Sequence, residues 1–145
     1  MGPRLTRGGA LSRHVRLSKT FANTSGNGAV GDVTIFTVTG RVWLLGFTAF
    51  CTDGLTEGGA TATVQVGTAA VDGAIIPVVN AVDIDTNEWW TDGTPVAELD
   101  QMDAAQVDVL VSSNIVVKVT TQGVTGGTIL FDAWFIPITD NGALA

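Results

Sequence analysis

Tyrosine is absent from this 145-residue chain, cysteine and histidine occur once each, and only seven side chains are basic. Each shortage excludes something. Cys51 stands alone, so no internal disulfide and no multi-cysteine metal site can form. Its setting in "GFTAFCT" reads as a small core residue rather than a nucleophile. The one histidine, His14, lies close to the N-terminus, so a Ser-His-Asp or Cys-His site would have to draw its base from the leader. Beyond residue 31 the only basic residues are Arg41 and Lys118, both inside strand candidates, which leaves no glycine-rich phosphate loop with a following lysine. No apolar run approaches the ~20 residues that span a bilayer, the nearest being "AIIPVVNAV". These shortages predict a protein that is not an enzyme, carries no cofactor and does not enter a membrane.

What is present is a core and strand-forming sequence. Hydrophobic residues make up 46% of the chain, which argues against general disorder, and a chain near this length buries roughly 68–70% of its unfolded surface as one domain. Eighteen glycines without a period exclude collagen and suit a loop-rich globular fold. Charge is divided by position. Residues 1–31 carry Arg4, Arg7, Arg13, Arg16 and Lys19 and no acid, giving +5; residues 32–145 hold all fourteen acids and sum to −12. That asymmetry, with the glycine-rich "NTSGNGAVG" at 23–31, predicts a basic extended N-terminal arm over 1–31 and a separate domain over 32–145. A secretory signal is not expected, because Arg13, His14, Arg16 and Lys19 interrupt every apolar stretch of the required length. The glycines and proline of "GPRLTRGGAL" likewise oppose an amphipathic presequence helix.

Beyond residue 32 strand signals recur between turns. "VTIFTVT" (33–39) and "RVWLLGFTAFC" (41–51) meet at Gly40, and "TDGLTEGG" (52–59) reads as a loop. "TATVQV" (61–66) alternates with period two, and "AIIPVV" (74–79) contains Pro77, which cannot donate to a ladder and so belongs at an edge. "VDVLV" (107–111) and "NIVVKVT" (114–120) flank Ser112–Ser113 as a short hairpin would, and "TILFDAWFIPI" (128–138) forms a long apolar strand with Asp132 at its centre. One helical turn is expected within "VAELDQMDAA" (96–105), where Leu99 and Met102 share a face. The fold class is therefore all-β: an antiparallel, jelly-roll-like β-sandwich of about seven or eight strands.

Two constellations are candidates for function. In "DIDTNEWWTDGTP" (83–95), Asp83, Asp85 and Asn87 match the first ligand positions of a calcium loop, but Glu88 and Thr94 stand where the turn glycine and the bidentate glutamate should be. Asp83 and Asp85 thus make a weak metal candidate, and the segment reads better as a solvated loop whose side chains cap its own backbone. Asp85 and Glu88 are the paired carboxylates a glycosidase would need, with nothing else to prepare a sugar transition state. Trp89 and Trp90 are adjacent, so a strand would send one indole inward and the other outward as an interface anchor or sugar platform. Trp43 and Trp134, in long apolar runs, read as core. Trp43, Leu45 and Phe47 oppose Val42 and Leu44, while Leu130 and Trp134 oppose Ile129 and Phe131; strands apolar on both faces point to an oligomer interface.

The segments "GDVTIFTVTGRVWLLGFTAFCT", "GGATATVQVGTA", "AVDIDTNEWWTDGTP" and "GTILFDAWFIPIT" together resemble a group of small proteins encoded beside head genes of tailed phages, many infecting actinobacteria. The resemblance covers about 29–140 and not the leader. It implies a virion structural protein, a decoration or cement protein that binds the major capsid protein on the capsid exterior after assembly in the host cytoplasm. It also implies a homo-oligomer, by analogy a trimer. The leader's five cations would then be a tether across acidic shell patches, its 31 residues reaching roughly 100 Å when extended. Nucleic acid fits less well, because the leader has no aromatic but Phe21 and the −12 remainder repels phosphate. The alternatives are a carbohydrate-binding or host-attachment module of a head fibre or tail that uses Trp89 or Trp90, and a tail or neck structural protein.

Overall fold

The computed structural model of the chain describes residues 12–98 and 104–145. Among these are ten strands: β1 (Arg13–Thr20), β2 (Gly31–Phe36), β3 (Val38–Thr39), β4 (Val42–Glu57), β5 (Thr63–Thr68), β6 (Ile76–Asn80), β7 (Val109–Val111), β8 (Ile115–Thr120), β9 (Val124–Pro137) and β10 (Ala143–Leu144). A first sheet has the order β1-β9-β4-β7 and a second the order β2-β8-β5-β6, while β10 and β3 form a two-stranded ribbon. Every pairing is antiparallel. With the short ribbon set aside, the eight long strands pair first with last (β1–β9), second with seventh (β2–β8), third with sixth (β4–β7) and fourth with fifth (β5–β6). An antiparallel ribbon of such pairs, wrapped into two facing sheets, is a jelly roll.

That topology corrects the division at residue 31. A jelly roll pairs its first strand with its last, and here the first strand lies inside the basic leader. Arg13 is opposite Phe135 and Thr20 opposite Thr128, with an unbroken register between them. Val15 and Leu17 pack against the core, and Phe21 is 2% exposed. The backbone N–H of Phe21 donates to Gly127 O at 2.9 Å. Residues 13–31 are thus an integral edge of the sandwich rather than an arm beside it.

Three other expectations change. Val109–Val111 and Ile115–Thr120 belong to different sheets, so the chain at Ser112–Ser113 crosses the sandwich instead of turning a hairpin. β4 continues to Glu57 through several register shifts, so "TDGLTEGG" is bulged strand for most of its length. A further shift between Leu44 and Gly46 inserts Leu45 as an extra residue, and this switches the phase of the strand. Phe47 consequently shares the core face with Val42 and Leu44, contrary to the uninterrupted alternation. The expected helical turn falls largely on 99–103, outside the described residues; a 3₁₀ turn spans Ala104–Gln106.

The remaining strands follow their patterns. Val64 and Val66 of β5 are buried while Thr63 and Gln65 are half-buried on the other face. Pro77 sits in β6, the edge of the second sheet, where its missing N–H costs no ladder bond. Phe47 lies between Phe36 and Phe131, at ring-centroid distances of 6.4 and 5.9 Å, and joins the two sheets. Where β9 enters beneath β4, Gly127 has φ 105°, and a Cβ there would stand 2.7 Å from Gly54 O, so only glycine fits. Among the described residues no helix is long and apolar enough to cross a membrane.

Candidate interaction surface

A sandwich strand needs one apolar face, and in the first sheet several strands have two. Because β9 alternates without interruption across Ile129–Trp134, burying Ile129, Phe131 and Ala133 turns Leu130, Asp132 and Trp134 outward. Trp134 remains 38% exposed. The bulge at Leu45 brings Trp43 and, further on, Thr48 and Phe50 of β4 to the same outer face. On β7, Leu110 opposite Trp43 is 73% exposed. Leu110 and Ile138 border an open cleft of about 370 Å³, with Arg41, Val111 and Ser112 completing its walls. Trp43 and Trp134, expected in the core, belong to this outer face.

One ionic cluster interrupts the apolar face. Asp132 is 6% exposed, and a carboxylate that buried is costly unless it is paired. Two β1 side chains that alternate onto its face supply the pairing. Arg16 Nε donates to Asp132 Oδ1 at 2.8 Å and Arg16 Nη2 to Oδ2 at 3.3 Å; His14 Nε2 lies 2.6 Å from Oδ1. Burial raises the proton affinity of Asp132, but the hydrogen bonds from Arg16 and His14 outweigh it and hold the carboxyl below its ordinary range. The His14 ring also rests on Trp134 at a centroid distance of 5.0 Å. The cluster therefore fastens the edge strand to β9. Arg16, raised in pKa by its hydrogen bond to Asp132, is committed to that task.

The other candidate residues are placed as follows. Arg4 and Arg7 lie outside the described residues, and Arg13 is exposed at the start of β1. Lys19 Nζ donates to Asn27 Oδ1 at 2.7 Å, tying the strand to the loop after it. Trp90 is fully buried, whereas Trp89 is half-buried against Phe50 at a centroid distance of 4.7 Å, so the pair divides between inside and outside. Asp83 and Asp85 are both exposed, and among the described residues no three His, Cys, Asp or Glu side chains are grouped to hold a metal ion. The acidic loop caps its own backbone through Glu88 and Asp92, and Thr86 ties it to β4. Glu88 Oε2 accepts from Asp85 N at 2.9 Å, Thr86 Oγ1 from Gly54 N at 2.8 Å and Asp92 Oδ1 from Thr94 N at 2.7 Å. Cys51 is buried, its thiol pushed up to about 11 by desolvation, which suits packing and not nucleophilic attack.

Sequence reasoning missed the Asp132 cluster, although a signal was there. A lone acid in the middle of an eleven-residue apolar strand needs a cationic partner, and His14 and Arg16 are spaced to share one strand face. Comparison with family models, with curated proteins and with solved structures gives no match.

Proposed function

We propose that this protein is a non-enzymatic structural component of a phage virion that binds the outer capsid surface and stabilises the shell. The observation that carries the reading is the apolar outer face of the first sheet, where Trp134 and Leu110 stand partly open to solvent. Partly exposed aromatic residues beside aliphatic ones are the side chains that dominate binding energy at protein interfaces, and a monomer has no use for them on a second face. The resemblance of four sequence segments to proteins encoded near phage head genes supplies the kind of partner. A decoration protein needs a rigid platform for such a face, and a jelly roll provides one. The cationic tether is reduced by the fold: Arg16 is spent on Asp132 and Lys19 bonds Asn27, so shell attachment falls mainly to the apolar face.

The attachment module that uses Trp89 or Trp90 as a sugar platform is less favoured, because Trp90 is enclosed by the core and Trp89 is half-buried with its ring against Phe50. The test has two parts. Quantitative mass spectrometry of purified virions of the encoding phage should find hundreds of copies per particle; a few to a few dozen would move the protein to the tail or a fibre, and none would end the proposal. The purified full chain should also bind emptied shells, and Trp134→Ala should weaken that binding by roughly 2 kcal/mol or more.

A further inference from the structure

We infer that the cleft at the end of the outer face receives an aspartate or glutamate side chain of the shell protein, with Arg41 as its partner and Leu110 and Ile138 as the walls that shield the pair. The inference rests on the shell-binding reading and names the chemistry of that contact. Beyond residue 31 the chain has two cations, Arg41 and Lys118. Lys118 is paired with Asp72, whereas Arg41 takes part in none of the ion pairs among the described residues, and its side chain is exposed. The guanidinium is free, but its root is fixed. Arg41 O accepts from Ile138 N at 2.9 Å and from Thr139 N at 3.3 Å, and Arg41 N donates to Thr139 Oγ1 at 3.0 Å. A glycine lets the chain close that tightly, since a Cβ at Gly142 would collide with Arg41 O. A cation rooted in a fixed backbone loses less freedom on binding than one on a mobile loop.

The surroundings fit a carboxylate set among apolar atoms. Leu110 is 73% exposed and Ile138 52%, and they stand beside Arg41 in the open cleft of about 370 Å³. Leu110 lies opposite Trp43, so the cleft continues the apolar face that carries Trp134, and a partner laid on that face covers both. In open water a pair between Arg41 and an acid contributes little. Beneath a docked surface, with leucine and isoleucine at its sides, the pair is shielded from solvent, and two parallel N–H···O bonds fix the register of the contact. Arginine beside aliphatic and aromatic side chains is also the composition from which binding hot spots are drawn. The occupant is one carboxylate and not a polyanion. Residues 32–145 sum to −12, so a nucleic acid brought to Arg41 is repelled by the charge around it, while a single acid in an apolar patch is not. Arg16, the other guanidinium on the outer face, is already bonded to Asp132. The acid is a side chain of a folded surface rather than a chain terminus, because the cleft opens onto a sheet face and continues it.

Binding of the full chain to emptied shells, measured for the wild type and variants in parallel, tests the inference. Arg41→Gln should bind at least roughly tenfold more weakly, with circular dichroism and melting unchanged because only an exposed side chain is altered. Lys118→Gln makes the same change of net charge on the other sheet and should bind as the wild type does. Leu110→Ser removes a wall of the cleft at an exposed position and should also weaken binding without any change of charge. Arg41→Lys keeps the charge, loses the planar fork and should fall between Arg41→Gln and the wild type. Treated with a carbodiimide on the shell, this last variant should form an amide from position 41 to an aspartate or glutamate side chain of the shell protein, located by peptide mass spectrometry. No coupling at position 41, or coupling to a chain terminus, would overturn the inference. So would a wild type that binds while Arg41→Gln loses nothing, or loses no more than Lys118→Gln; the shell-binding reading would survive either result. A wild-type chain that does not bind shells would end that reading and this inference with it.

Discussion

The two sheets have equivalent inner faces and different outer ones. Outside the second sheet, Asp32, Lys118 and Gln65 form one cross-strand row and Thr120 and Thr63 another, with Lys118 Nζ donating to Asp72 Oδ2 at 2.5 Å. Outside the first, Trp134, Leu130, Phe50, Trp43 and Leu110 replace them, and the charges are confined to Asp132 and its partners. Both faces lie on antiparallel sheets of the same sandwich, so fold alone does not demand the contrast. A sheet face that meets only water is served by threonine and paired charge. An apolar face kept at the cost of solubility implies something that covers it. On the proposed reading the working side of the molecule is therefore the outer face of the first sheet, the sheet that β1 joins.

The largest effect that could break the comparison is removal of that leader. Deleting 1–30 takes away β1, its ladder with β9 and the buried Phe21, and leaves Asp132 without either partner. The truncated chain should fail to fold cooperatively, read by calorimetry against the full chain; an unchanged cooperative transition would show that the fold does not need β1. Next in size is Trp90→Ala. This indole is fully buried, and its loss should cost roughly 3–5 kcal/mol of stability, read from chemical denaturation. A loss below about 1 kcal/mol would mean that the core does not depend on it.

How much of this was legible in the chain depends on the range of the interactions. The all-β class and the outward turn of Leu130 follow from period two within a single strand, and the edge position of Pro77 from its missing N–H, all local properties. The inward and outward division of Trp89 and Trp90 follows from adjacency in the same way. Leu45 was misleading, because a bulge is decided by the partner strand and leaves no mark in "VWLLGF". Ser112–Ser113 was misread as a hairpin since a short connection between two strands looks the same whether they pair or pass to opposite sheets. The leader was misjudged most. Its charge and glycines are local features of an arm, but its strand is formed against a segment more than a hundred residues away, and the ionic link that holds it, Arg16 to Asp132, spans that distance.

Between the outer faces, the comparison is sharpened by Trp134→Ala. Since the ring is 38% exposed, its removal should change unfolding much less than Trp90→Ala while weakening association or shell binding by roughly 2 kcal/mol or more. Equal effects of the two variants on stability would remove the distinction between interface and core. Asp132→Asn is smaller again, costing about 1 kcal/mol at neutral pH for the loss of charge-assisted bonds. Its pH dependence is diagnostic. The carboxyl is held below its ordinary range in the folded protein, so the unfolded chain takes up the proton first as pH falls. The stabilisation is complete above the unfolded value of about 3.9 and is lost as pH drops through the lowered folded value. Melting curves of wild type and Asp132→Asn should therefore differ at pH 6 and converge in strong acid; a constant gap would mean that the charge is irrelevant.

The smallest effect belongs to the polar face. Lys118 and Asp72 form the only ion pair described outside the second sheet, and the hydrogen bond to Asp72 raises the lysine pKa. Both side chains are open to water, where the attraction is screened and the entropy of holding a long side chain opposes it. Lys118→Gln should leave the melting temperature unchanged within measurement and leave shell binding intact, assayed alongside Trp134→Ala in one series. The charge rows of this sheet serve hydration, and hydration is restored by any polar replacement. A marked loss of association in Lys118→Gln would place a second contact surface on the face that the comparison assigns to solvent, and the asymmetry between the sheets would no longer separate the working side of the molecule from the idle one.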